Sequence, residues 1–512
     1  MQHILGISRH QMRFSSLEDA ISADNQVRFI DAFVTFLDLE KLGFRANSIK
    51  SEGRPSYNAK VFLKIYLYGY LGGLRSSRKL EKECFRNIEM QWLLEDIRPN
   101  YHSISDFRKN NPVALKNLFK LFVCFLKDAD LIEGKTIAID GTKSRAHNSR
   151  KANFNQKKIN KHLDYIEAKT QEYLDALEQN DYNENEPKIQ DIQQKIERLQ
   201  QNKIRYELLE EKLKASGEPQ VSTTDSDARA LLVQGQVVEI SYNMQAAVDA
   251  KHNLVVATHT INKNDRSALS AIAIETIENL GIETYTALVD KGYHNGKQIE
   301  ICKQANITTI VAQPEQGKSN EKGTTKDYLV ARFQYDETTD TYTCPQGEIL
   351  KTTGSWHKKT TDKDSYNFKK YRIPKCKECP VKHLCTSRAA GREIDRSQYA
   401  DAVEENNKRY HANAQLYRKR QEINEHIFGT IKRQWGYNHT NLTGLEKVNG
   451  EHSLIMLVYN IKRSINILGV PDLIAKLKKW NSPYKAKVLF LLKMEYLKLN
   501  TADNFYPMKF VA

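Results

Sequence analysis

The sequence predicts a mixed α/β protein, in which an all-helical N-terminal region precedes a sheet covered by helices on both faces. Three observations predict it. Apolar residues recur at helical spacing from about Ser16 to Asp128. From Thr136 to Val311 the pattern runs strand, hairpin of two strands, helix, strand, helix, strand. At 512 residues the chain exceeds what a single core serves, and its length suggests about three domains.

Lys and Arg number 78 against 63 Asp and Glu, a net charge of +15. That excess leaves a positive potential suited to a polyanionic partner. No apolar stretch approaches the ~18 residues that cross a bilayer. The longest, Leu454–Tyr459 and Val488–Leu492, have the length of core segments. The N-terminus MQHILGISRHQMRF lacks the long apolar run of a secretory signal, so a cytoplasmic location is expected. Seven cysteines form an odd set, which argues against a full disulfide framework.

In the helical region Val27, Ile30, Phe33, Val34, Leu37 and Leu39 make one stripe. Val61, Leu63, Tyr66, Leu67, Tyr70 and Leu71 make a second, stopped at Gly72-Gly73. Leu74–Lys79 then presents three cations near a helix start. Ser103–Asp106 has capping-box spacing ahead of Phe107-Arg108-Lys109. The arrangement suits a helix-turn-helix-like DNA reader and, equally, a plain bundle with solvated cations.

Thr136–Ile139 is a short strand expected to end in Asp140, followed by Gly141, Thr142 and the cations Lys143, Arg145, Arg150 and Lys151. A strand-end carboxylate among cations can hold a metal against phosphate, although Asp-Gly is also an ordinary turn. Gln156–Gln220 is rich in Lys, Glu and Gln. Its apolar seams, at Ile159, Leu163, Ile166 and at Ile189, Ile192, Ile196, Leu199, flank the polar break Gln179–Pro187, so it reads as an antiparallel helical hairpin.

Order returns at Ser222–Asp227. Ser241–Asp249 and Leu254–Ile261 form a β-hairpin across Ala250–Asn253, with Asp265 just beyond. Ser267–Leu280 is an amphipathic helix ended by Gly281. Tyr285–Val289 is a strand leading into Asp290, Asn295–Asn306 a helix, and Ile307–Val311 a further strand.

Pro314–Tyr399 is a polar lobe. Its Cys344, Cys376, Cys379 and Cys385 can supply four thiolates to a structural zinc or remain free thiols. Cys84, Cys124 and Cys302 sit in apolar patterns and are expected in the core. In the helix Gln415–Gly436, Arg418, Glu425 and Lys432 are seven apart, each within about twenty degrees of the one before around the axis. Trp435 suits either base stacking or burial. Ser453–Arg463 should pack under the sheet. Beyond Leu468 the tail, with Lys476, Lys478, Lys479, Lys485 and Lys487, is basic.

Asp140, Asp290 and Glu425 thus offer hard oxygen ligands of the kind Mg²⁺ or Mn²⁺ prefers. Two such ions about 3.5–4 Å apart can activate a nucleophile and stabilise a leaving oxygen in phosphodiester displacement.

The words IDGTKSRAHNSRKANFN, TDSDARA, SYNMQAAVD, ALVDKGYHNG and EHIFGTIKRQWG, in this order, resemble those of DDE-type transposases of bacterial insertion sequences. GRPSYNAKVFLKIYLYGYLGGLRSSRKL followed by HSISDFRKNN resembles the helical domain preceding the catalytic core in one branch of that family. The resemblance runs from about Gln26 to Gly469. It implies a helical DNA-binding domain over 1–130 and a ribonuclease H-like catalytic domain over 131–468. That domain would carry insertions at 156–220 and 314–399, and a basic tail would follow over 469–512.

The resemblance further implies that Asp140, Asp290 and Glu425 form an acidic triad holding two Mg²⁺ or Mn²⁺ ions. DNA contacts would come from Lys143, Arg145, Lys291, Tyr293, Arg418, Arg420 and Lys432. In the family's Tyr-Arg-Glu-Lys signature Glu425 and Lys432 keep the seven-residue step and Tyr417 opens it. Arg420 stands one residue further from the Glu than the signature expects, with Arg418 the alternative. Asp225, Asp227, Asp265, Glu422 and Glu451 rank below the triad. The implied partners are double-stranded DNA, as terminal inverted repeats and as target, and a second copy of the chain, with no membrane. A metal-dependent nuclease on the same scaffold and an inactive DNA-binding derivative are the alternatives.

Overall fold

The computed structural model describes residues 3, 8–12, 14–44, 56–181, 186–233, 237–314, 324–361 and 364–481. Lys485 and Lys487 of the tail, residues 53–55 of the GRPSYN word and residues 182–185 of the polar break lie outside them. The helices are α1 (Gln26–Phe36), α2 (Ala59–Leu71), α3 (Ser77–Arg86), α4 (Ile88–Leu94), α5 (Tyr101–Asn110), α6 (Pro112–Asp128), α7 (Gln156–Asp181), α8 (Glu186–Ser216), α9 (Leu269–Leu280), α10 (Gly296–Gln304), α11 (Lys382–Cys385), α12 (Ala400–Ala412), α13 (Ala414–Phe428), α14 (Leu445–Leu468) and α15 (Val470–Lys479). The strands are β1 (Thr136–Arg145), β2 (Asn153–Phe154), β3 (Val221–Ser222), β4 (Arg229–Val233), β5 (Val237–Asp249), β6 (Leu254–Ile261), β7 (Tyr285–Val289), β8 (Ile307–Val311), β9 (Gln334–Asp336), β10 (Thr341–Thr343), β11 (Ile349–Lys351), β12 (Trp356–Thr361), β13 (Asp364–Arg372) and β14 (Glu393–Ser397). The fold is mixed α/β, and the chain divides into two compact units. The first comprises Met1–Asp265, Glu275–Ile282 and Gln421–Ala512; the second comprises Arg266–Ile274 and Glu283–Arg420.

In the first unit asparagine side chains cap four helices. Asn25, Asn58, Asn87 and Asn100 each accept a backbone N–H of the turn that follows. Asn100 takes the N–H of Ser103 at 2.9 Å, so α5 begins two residues before the capping-box serine and Ser103 lies inside it. Helix α2 is buried on nearly every side from Val61 to Leu71, rather than along one stripe.

Arg75, expected among exposed cations at a helix start, is buried instead. Its Nη1 lies 3.6 Å from the Glu451 carboxylate, and Nη1 of Arg108 lies 3.7 Å from the same oxygen. Glu451 is fully buried and also accepts the N–H groups of Asn441 (3.0 Å) and Leu442 (3.1 Å) and Nδ2 of Asn441 (2.9 Å). Arg108 donates to the Tyr70 hydroxyl at 2.7 Å, and Arg75 lies over the Tyr437 ring at 4.4 Å. Burial pushes the Glu451 carboxyl up, but Arg108 and then Arg75 outweigh it and hold it below the usual range.

Strand β1 does not end at Asp140. It continues to Arg145 because β5 pairs with it residue for residue, from Ile137↔Asp249 to Arg145↔Ser241. On its other side β5 pairs antiparallel with β4 and, across the expected hairpin, with β6. Helix α14 lies on β6, where Asn460 bonds both the N–H and the carbonyl of Val255, at 2.8 and 2.7 Å. Beyond it the tail first forms α15, with Leu473 and Leu477 buried, and the Trp480 indole donates to Asp128 at 2.7 Å.

Helices α7 and α8 run antiparallel: Gln156 meets Glu210, the His162 ring stacks on Tyr206 at 4.6 Å, and Lys195 lies over Tyr173 at 5.9 Å. Phe154, Ile159, Leu209 and Leu213 fill the base of this hairpin, and β2–β3 closes it.

In the second unit β7 and β8 are parallel, joined through α10. Asn406 of α12 bonds both the N–H (2.9 Å) and the carbonyl (3.0 Å) of Val311. The polar lobe is a six-stranded antiparallel sheet in the order β12-β13-β11-β10-β9, with β14 on β13, around Phe333, Tyr342, Leu350, Tyr371 and Ile394. Its buried Arg396 donates to the Tyr342 hydroxyl at 2.7 Å and pairs with Asp401 and Glu404.

Candidate acidic site

Asp140 is half-buried on β1, opposite Ala246, and its Oδ1 accepts the Gly141 N–H at 2.8 Å. Gly141 faces a tight polar cluster. A Cβ built there would stand 2.2 Å from Nε2 of Gln245, 2.6 Å from Oδ1 of Asp265 and 2.9 Å from Oδ1 of Asn243. Asp265 accepts from Asn243 (2.7 Å) and Gln245 (2.9 Å) and pairs with Lys143 at 3.1 Å. Burial pushes the Asp265 carboxyl up, yet Lys143 and the two amides outweigh it and hold it below its ordinary value. Lys143 is therefore committed to Asp265, a residue that ranked below the triad. Asn243 and Gln245 stand at alternate positions of β5, continuing the polar positions Glu239 and Ser241, and went unnoticed. Polar residues two apart on one buried face were the available signal.

Glu425 lies exposed on α13 and accepts Nε2 of Gln421 at 2.7 Å, while Ile423, Asn424 and Ile427 turn inward. Glu422, which ranked below the triad, is exposed as well. The expected single face through Arg418, Glu425 and Lys432 does not persist, because Gly429–Gln434 is π-helical and its wider turns rotate Lys432 away. Lys432 is instead partly buried and donates to the Lys143 carbonyl at 2.6 Å. Burial first, then the Lys143 charge, bring its ammonium down to about 8. Past it the chain runs beside the end of β1, where the Arg145 N–H meets the Asn438 carbonyl at 3.0 Å and the Thr440 N–H meets the Arg145 carbonyl at 2.8 Å. The Arg145 guanidinium is exposed and pairs with Glu239 at 2.7 Å. Trp435 is half-buried between Tyr437 and Lys462.

In the second unit Asp290 follows β7 as expected and caps the turn Lys291–Tyr293, accepting the Gly292 N–H at 3.2 Å. Arg420 lies 3.4 Å from its Oδ1, and the Tyr417 hydroxyl donates to the Val289 carbonyl at 3.2 Å. Of the two candidate arginines it is Arg420 that reaches this carboxylate, whereas Arg418 is exposed. Lys291 is exposed, but Tyr293 is buried and is not presented to a DNA backbone.

Asp225 and Asp227 fasten the start of α14: Asp225 accepts the Gly444 N–H (3.1 Å) and the Tyr242 hydroxyl (2.7 Å), and Asp227 the Leu445 N–H (2.8 Å). Cys84, Cys124 and Cys302 are buried. Cys344, Cys376, Cys379 and Cys385 line one cavity of about 30 Å³ beside Arg392. Burial, and after it the neighbouring thiols Cys344 and Cys379, push the Cys376 thiol up. Among the described residues, no group of three or more His, Cys, Asp or Glu is placed so as to hold a metal ion. Nor is any helix among them long and apolar enough to cross a membrane.

Residues 343–465 match the family model described as a transposase DDE domain, a span that includes Glu425 and Lys432 and leaves Asp140 and Asp290 outside. Residues 15–110 match a second model, a transposase domain (DUF772). No curated protein matches the chain. A cryo-EM structure of a piggyBac transposase synaptic complex with hairpin DNA is similar at 7% identity over 95% of this chain and 83% of that one, with a TM-score of 0.30, too low to carry an argument. The two transposase models match separate segments of one chain, which is consistent with a DDE-type transposase.

Proposed function

We propose that the chain is the transposase of an insertion sequence. It binds the terminal inverted repeats of its element as a homodimer in the cytoplasm, cleaves a DNA strand with water, and directs the freed 3′-hydroxyl onto target DNA. Asp140, Asp290 and Glu425 are the acidic triad of a ribonuclease H-like core. Their carboxylate oxygens are the donor set suited to Mg²⁺ or Mn²⁺, two of which would supply charge neutralisation and an activated oxygen nucleophile.

The observation that carries the reading is the bond from Lys432 to the Lys143 carbonyl, which fastens the stretch following Glu425 to the strand that bears Asp140. Arg420 in turn holds the Asp290 carboxylate in one orientation. Arg145, Lys291 and Arg418, all exposed, supply positive charge for the DNA backbone. Cys344, Cys376, Cys379 and Cys385 are read as ligands of a structural zinc, for which their shared cavity is the support.

The test is strand cleavage and strand transfer on element-end DNA in Mg²⁺. Asp140→Ala, Asp290→Ala and Glu425→Ala should each abolish both while leaving repeat binding within about twofold. A triad variant that cuts like the parent would remove the assignment. Cleavage by the parent without joining of precut ends would favour a nuclease.

A further inference from the structure

The second unit contains a cavity of about 730 Å³, within the ~300–1,000 Å³ range of pockets that enclose small ligands. Its wall begins at His294 and Asn295, immediately after the turn that Asp290 caps. Three cations reach it from separate elements: Arg266 from the turn before α9, Lys297 from the first turn of α10, and Lys359 from β12. All three are exposed, and among the described residues none has an ion-pair partner. The fourth, Arg396, is neutralised by Asp401 and Glu404. Tyr366, paired with Lys359 across β12–β13, adds a half-buried ring beside these charges.

Lysines on an edge strand commonly serve only to deter strand pairing, and β12 is an edge. That explanation covers Lys359 and leaves unexplained why Arg266 and Lys297 converge on the same space. Unpaired cations from three elements, around a concavity with an aromatic wall, match what a nucleic-acid strand requires: charges for the phosphates and a ring face for a base.

We propose that this cavity is a DNA-strand subsite, which seats a nucleotide next to the position on which Asp290 acts, with its phosphates on Arg266, Lys297 and Lys359 and its base on Tyr366. The proposal rests on the DNA-processing reading above and adds to it a binding site distinct from the triad.

The experiment measures binding of the full chain to a fluorescein-labelled DNA duplex with a single-stranded extension, and to the same duplex blunt-ended, across a salt series. Each lost phosphate contact lowers the slope of log affinity against log salt by about 0.7–0.9. K297Q/K359Q should therefore lower the slope by about 1.4 to 1.8, and Y366L should erase the preference for the extended duplex with the slope unchanged. The control K351Q/K377Q removes two exposed cations of the same unit and should leave both quantities as in the parent. If K297Q/K359Q matches the parent, or the control lowers the slope as much, the subsite is overturned while the transposase reading stands. A parent chain that shows no salt-dependent DNA binding overturns both.

Discussion

Nζ of Lys432 donates to the backbone carbonyl of Lys143 at 2.6 Å, while the Lys143 side chain turns the other way to pair with Asp265 at 3.1 Å. Two lysines near Asp140 and Glu425 are thus spent on internal structure. Lys432 is brought down to about 8 from an ordinary 10.5 by burial and by the charge of Lys143. Between those two values the folded protein binds fewer protons than the unfolded chain, so this residue's contribution to stability rises with pH across the window. Chemical denaturation at pH 7.5 and 9.5 should show that rise in the parent and its loss in Lys432→Met; equal pH dependence in both would contradict the assignment.

Gly141→Ala should be costly out of proportion to its size. The added methyl would have to displace Gln245, Asp265 and Asn243, which are already bonded to one another. Overpacking of this kind costs about 1–3 kcal/mol. Thermal melting should register the loss, and strand cleavage should fall further than stability does, because Asp140 is the adjoining residue. A variant that melts and cuts like the parent would show that the cluster yields freely.

Removing the Glu451 carboxylate leaves Arg75 and Arg108 buried without a counter-charge. One-sided disruption of such pairs costs about 3–5 kcal/mol, so Glu451→Ala should lose that much in urea unfolding, and Glu451→Gln, which keeps one acceptor oxygen and the side-chain volume, should lose less. Its carboxyl is held below the ordinary value, so the stabilisation it gives is present at neutral pH and is lost as pH falls through the folded-state value. A Glu451→Ala protein as stable as the parent would deny the network its role.

Zinc analysis of protein purified without chelator should find a single ion per chain. Cys379→Ser should lower both the zinc content and the melting temperature. Zinc-free protein with four reactive thiols and an unchanged melting curve would reduce the lobe to its sheet core alone.

Legibility followed the range of the interactions. The β5–β6 hairpin, the α7–α8 pair and the order of β1, α9, β7, α10 and β8 rest on periodicity within a few residues, and the sequence displays it. Asp140 and Asp290 stood out because each follows an apolar strand run, and Glu425 because of the words around it. Half of the antiparallel sheet of the second unit escaped notice because β9, β10 and β11 are three residues each, too short for alternation to register. Arg75 looked like a surface cation because nothing near it in sequence announces Glu451. The π-helical stretch after Phe428 likewise has no compositional mark, so the spacing from Glu425 to Lys432 suggested a shared face that the backbone does not keep.

The Thr223 N–H bonds the Ala152 carbonyl at 2.9 Å, directly beside the β2–β3 closure. Everything between those two residues therefore leaves and returns through a single doorway. A segment anchored in this way can lengthen, shorten or be exchanged during evolution without re-threading the strands beneath it, and the same doorway is the natural place to graft a foreign domain onto this scaffold.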